Sequence, residues 1–201
     1  MAETKMQHHP HVGVDYQSGH GGKRVSVMGY SHHSDDDDHE DFTTRCVANV
    51  QSGAWPHISF FNQIASYFHS ANDRFWSTVA FLNFLPRRIG GGDERFDHGT
   101  ADDTEEGRHR VREFLERHRP DFLFVFSRKA WASLPRTLED ERDGNGGARI
   151  SPDHDFDRQH YRLSDGHVVQ AIGLRHPQGA EKDVMRRAVA SALALEPAPP
   201  A

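Results

Sequence analysis

The sequence predicts an α/β protein: a parallel sheet with helices on both faces. Two observations carry this. The runs "VSVMGY" (25–30), "AFLNFL" (80–85) and "DFLFVFS" (121–127) are of strand length and nearly continuously apolar, as strands buried on both faces must be. Segments with helical apolar spacing lie between them, which is the alternation of a parallel α/β sheet.

The elements follow in chain order. Residues 1–23 are polar, with His8, His9, His11 and His20 among glycines, and read as a flexible arm. The first strand, 25–30, carries Gly29 near its end, and a polar loop covers 31–41. A helix is expected to begin within 42–50. A second, over 56–70, places Phe60, Phe61, Ile64, Ala65 and Phe68 on one face. The stretch 73–86 is buried throughout, and its second half forms a strand stopped by Pro86. A long loop covers 87–103, a length that often marks function. The helix over 104–120 is capped by Thr104, with a stripe of Val111, Phe114, Leu115 and His118. A strand over 121–127, a short helix over 128–135 and a loop over 136–155 come next. Strands over 156–163 and 167–174 join through "SDG", and a helix over 180–195 precedes a disordered tail, 196–201. Residues 24–195 form one domain, and strand-end loops at Gly29–His33, Asn83–Gly92 and Arg175–Gly179 meet on one edge of the sheet.

Composition narrows the function. A single cysteine, Cys46, rules out an intramolecular disulfide and a cysteine-rich zinc site, and reads as a small buried apolar residue. The net charge of -6 argues against indiscriminate coating of DNA but leaves room for a local basic groove. No apolar run reaches the length that spans a bilayer, and no signal peptide is evident at the start, so the expected location is the cytoplasm, with no membrane partner.

Several residues carry chemistry. His32, His33, Asp35, Asp36, Asp37, Asp38, His39 and Glu40 offer metal-ligand types, yet they match no standard ligand spacing, and an aspartate run also reads as a solvated loop. Ser31 lacks the surroundings of a nucleophile elbow. Arg87 and Arg88 precede three glycines and suit a phosphate oxygen, without a P-loop pattern. Asn83 is an amide inside an apolar run. It is either bonded to a core carbonyl or placed at a strand end to read a ligand, where its donor and acceptor suit one edge of a nucleobase. His176 precedes Pro177, whose ring restricts the backbone and so the direction of the imidazole.

Taken in order, "VSVMGYSHH", "RFWSTVAFLNFLP", "VREFLERHRPDFLFVFSRKAWASLP" and "AIGLRHPQGA" resemble the successive motifs of the uracil-DNA glycosylase superfamily. The first is nearest to a branch reading roughly Gly-Glu-Ser-His-Tyr. The resemblance covers about residues 24–195. It implies a three-layer α/β/α sandwich around a central, mostly parallel four-stranded sheet. It implies hydrolysis of the N-glycosidic bond of uracil or another damaged base in single- or double-stranded DNA, by a monomer that needs no cofactor and no metal. By the same resemblance, His176 donates to the base carbonyl oxygen, Asn83 reads the pyrimidine edge, and Gly29 lets the backbone approach the nucleotide. Tyr30, His33 or Phe42 stacks on the base. Arg175 and Lys182 or Arg186 hold DNA phosphates, a role that Arg87 and Arg88 also suit on their own reading.

The sequence also departs from the family pattern. Ser31 stands where the best-studied branch has a water-activating aspartate; other branches also lack that carboxylate, and His32, His33 or the aspartate run, Asp35 to Asp38, are the candidates to substitute. Tyr30 replaces a Gln or Glu, and the last motif reads His-Pro-Gln rather than His-Pro-Ser. Two alternatives remain: a catalytically inactive module of the same fold that binds a nucleobase or nucleic acid, and a metal-dependent hydrolase using the His/Asp loop.

Overall fold

The computed structural model describes residues 6–32, 39–55, 59–89, 99–138 and 156–195. Among them are six strands, β1 (His11–Val12), β2 (Val25–Gly29), β3 (Val79–Asn83), β4 (Phe122–Val125), β5 (Asp157–Arg162) and β6 (Val168–Gly173). Six helices accompany them: α1 (Phe42–Gln51), α2 (Ser59–Tyr67), α3 (Asn72–Thr78), α4 (Ala101–His118), α5 (Arg128–Ser133) and α6 (Lys182–Leu193). The strands form one mixed sheet in the order β1-β3-β2-β4-β6-β5.

The four central strands, β3-β2-β4-β6, are parallel, and β1 and β5 add antiparallel edges. The expected four-stranded sheet is therefore corrected to six. At one edge, β5 alternates buried and exposed residues and shows Arg158, His160 and Arg162 to solvent, which discourages further strand pairing. At the other, the segment expected as a flexible arm is packed onto the sheet from residue 6. Tyr16 is buried, its hydroxyl 3.2 Å from Ser26 Oγ, and His11 Nε2 lies 2.8 Å from the Trp76 carbonyl. Gly13 makes this docking possible, because a Cβ there would collide with the Ser77 carbonyl.

Strand alternation divides the core into two layers. Val27, Phe81, Phe124 and Ile172 face α1, α2, α3 and α6, whereas Met28, Leu82, Val125 and Ala171 face α4 and α5. Cys46 is buried in the first layer. Helix α4 starts three residues before its expected position. Its cap is Thr100, not Thr104: the Thr100 hydroxyl accepts from the Asp103 N–H at 3.1 Å, and Asp103 Oδ2 accepts from the Thr100 N–H at 2.9 Å. Asp102 and Asp103 in the first turn and Arg117 and His118 in the last suit the helix dipole. Among the described residues no helix is long and apolar enough to cross a membrane.

Candidate functional site

The chain leaves β2 toward the α1–α3 layer and leaves β3 and β4 toward the α4–α5 layer. The connections thus part on either side of β2, the kind of switch point beyond whose strand ends open α/β sheets bind ligands. Gly29 and Asn83 are register partners at this edge. Their backbone pairing continues past the strands: the Phe84 N–H donates to the Gly29 carbonyl at 3.0 Å, and the Leu85 N–H to the Tyr30 carbonyl at 2.9 Å.

Asn83 lies on the same strand face as Phe81, with only 4% of its surface exposed. Its amide occupies the space a side chain at Gly29 would need, since an added Cβ would collide with Oδ1. Among the described residues nothing hydrogen-bonds this amide. The Asn83 amide atoms are not among the fully enclosed polar atoms that lack a partner, so the amide opens past the strand end rather than into the core.

Phe60, in the first turn of α2, closes the opposite side. Its Cζ lies 3.4 Å from the position of an added Gly29 Cβ, and its ring centroid is 5.3 Å from that of His176, with the planes inclined at 35°. His176 is exposed just past β6, and the Gln178 N–H donates to its Nδ1 at 3.2 Å. With Nδ1 accepting, the proton of the neutral ring sits on Nε2, which becomes a donor. The Gln178 side chain reaches back to Ser59 Oγ at 3.4 Å, tying this loop to the start of α2.

Gly29, Asn83 and His176 are therefore brought together, but the other expected residues divide. Tyr30 turns to the α4–α5 layer, stacked on Phe84 with the Lys129 Nζ 4.9 Å from its ring centroid, away from Phe60. Phe42 is a core residue of α1, 6% exposed. His32 is buried among Phe42, His8 and Phe81, with its Nε2 2.9 Å from Thr43 Oγ1, so its ring is structural in this arrangement. Alternation explains these corrections: Met28 and Gly29 already face opposite layers, and the loop that follows gives its side chains to both. Ser31 is half-buried at the start of that loop.

Among the expected phosphate contacts, Arg87 is committed to Asp103 and Glu106 of α4, and Arg88 is half-buried. Arg175 and Lys182 are exposed, one beside His176 and the other at the start of α6. His33 and Asp35 to Asp38 lie outside the described residues.

Spacing alone places Phe60 on the buried stripe of its helix. The signal against that is its neighbour: Phe60 and Phe61 are 100° apart on the helix, and Phe61 is the one that points inward, at 5% exposure. The sequence matches no protein-family model and no curated protein.

Proposed function

We propose that the protein is a uracil-DNA-glycosylase-like enzyme that hydrolyses the N-glycosidic bond of uracil or another damaged base in DNA. The observation that carries this reading is the Asn83 amide, buried at a parallel strand end and unpartnered among the described residues, with Phe60 beside it. A flipped base fits the place these groups define. The Phe60 ring supports its face, and Gly29 leaves room for its approach. The Asn83 amide supplies a donor and an acceptor to its edge.

Bond cleavage leaves negative charge on the base and an oxocarbenium-like sugar. The Nε2–H of His176 donates to the base carbonyl oxygen where that charge gathers, and water then adds to the sugar. Arg175 and Lys182 hold phosphates near the base, a role that makes binding weaken with salt. The second reading, a nucleobase-binding module without catalysis, is favoured by Ser31, whose hydroxyl is no general base near neutral pH.

Alkali cleavage of end-labelled single- and double-stranded oligonucleotides bearing uracil, hypoxanthine, xanthine or normal bases tests the proposal. Excision of one damaged base is expected. It should persist in EDTA and fall at least tenfold in Asn83→Ala and His176→Ala. Absence of excision by the folded protein, with retained binding to the same oligonucleotides, selects the binding module. Excision abolished by EDTA points to the metal-dependent hydrolase.

A further inference from the structure

A cavity of about 820 Å³ lies on the opposite face of the sheet from Asn83. Its walls are the docked N-terminal segment, from Gln7 to Pro10, and the last turns of α4, from Arg110 to His118. Leu82, the residue before Asn83, gives it an apolar surface. Its volume falls within the range of small-molecule sites. We propose that this cavity binds an organic carboxylate with an apolar or aromatic body, the carboxylate resting on the guanidinium of Arg110.

Arg110 carries the proposal. It lies on the buried stripe of α4 with Gly107, Val111 and Phe114, and only 8% of its surface is exposed. Its Nε and Nη2 are buried with no hydrogen-bond partner among the described residues. A buried guanidinium normally has a carboxylate. The neighbouring acids are engaged elsewhere. Glu106 holds Arg87 and accepts from Gln7 Nε2 at 2.8 Å, Glu113 lies 3.5 Å from His109 Nδ1, and Glu116 accepts from Ser164 Oγ at 2.8 Å. Burial pushes Arg110 down to about 10, opposed by the charges of Glu106 and Glu113, and it remains a cation at neutral pH.

The surroundings select the ligand class. Leu82, Phe114 and Pro10 offer apolar surface beside the Arg110 guanidinium, whose planar shape matches a carboxylate, and Arg117, His8, His9 and His118 stand on the same lining. Glu40, Glu113 and Glu116 also line the cavity and repel a phosphate dianion more than a monoanion. The Gln7–Glu106 bond, the His8 N–H donating to the Pro86 carbonyl and the His9 N–H donating to the Glu40 carbonyl keep the outer wall in place without a ligand.

The test is an amide-resolved NMR titration of the full chain with benzoate, its neutral analogue benzamide, and inorganic phosphate. Benzoate is expected to give saturable shifts confined to residues 7–10 and 110–118 and to raise Tm. Benzamide should bind at least tenfold more weakly, and phosphate should not saturate. Arg110→Met keeps the apolar stem, and its affinity for benzoate should fall at least tenfold. Equal binding of benzamide and benzoate to the parent overturns the proposal whether or not Arg110→Met folds. So does tighter binding of phosphate, unchanged benzoate affinity in Arg110→Met, or no saturable benzoate shift at these residues.

Discussion

Phe60 and Phe61 are adjacent in sequence and do different work. Phe61 is enclosed by Trp76 and Phe81, whereas Phe60 stands beside His176. Phe61→Ala should lower unfolding stability by about 3–5 kcal/mol, the cost of emptying a core site. Phe60→Ala should cost about 1 kcal/mol and instead weaken binding of a base-containing oligonucleotide by tenfold or more. Urea unfolding and fluorescence titration of both variants check this, and equal loss of stability would falsify the division. At this scale the sequence revealed a polar residue in an apolar strand, Asn83, because strand burial leaves little room for an accidental amide. The same logic was available for Arg110, a cation at a stripe position of α4, but its long stem lets such a residue pass for one that reaches solvent. Phe60 escapes notice because helical spacing places it on the buried stripe beside Phe61 and Ile64, and only the packing of α2 decides which of the two adjacent rings turns inward.

The start of α4 shows how competing signals set an element. Two threonines, Thr100 and Thr104, precede acidic residues, and only Thr100 has an acid three positions on that bonds back to it. Thr104 lies within the helix, its hydroxyl donating to the Thr100 carbonyl at 3.1 Å. Thr100→Ala should therefore cost about 1 kcal/mol, and Thr104→Ala only a few tenths. Chemical unfolding of the two single variants distinguishes them; the opposite ranking would place the helix start at Thr104. The lost turn matters beyond stability, because Asp103 also pairs with Arg87 and so secures the chain just after β3. The buried strands and the other five helices are legible from spacing and apolar runs, but α3 is not, because its stretch is apolar nearly throughout and reads only as buried. β1 was not, since its two residues carry no period and its partner is 68 residues or more along the chain.

For the whole molecule, the parallel core followed from the character of its strands, but strand order did not. A continuous apolar run states that both faces are covered and is silent on which strand lies beside it. The packed N-terminal segment is the largest departure from expectation, and it gives the molecule a pH dependence. His11 and His20 come from that segment, and His118 ends α4. All three imidazoles lie below their ordinary value of 6.5, chiefly through burial. The Trp76 carbonyl opposes the shift at His11 and the Phe68 carbonyl opposes it at His20, while Arg74 and Arg117 add to it at His20 and His118. The unfolded chain therefore binds protons before the folded one does. Stability is full above about pH 6.5 and is lost as pH falls through the lower, folded-state values. Asp103, also held below its ordinary value, acts in the same direction, but only below the carboxylate value of 3.8. The urea midpoint should hold from pH 8 to about 6.5 and decline toward pH 5. In His11→Gln, whose amide can still donate to Trp76, the decline should be shallower. A midpoint that stays level to pH 5 would mean that these rings take up protons as readily in the folded molecule as in the unfolded chain, and that the N-terminal segment does not bury them in solution.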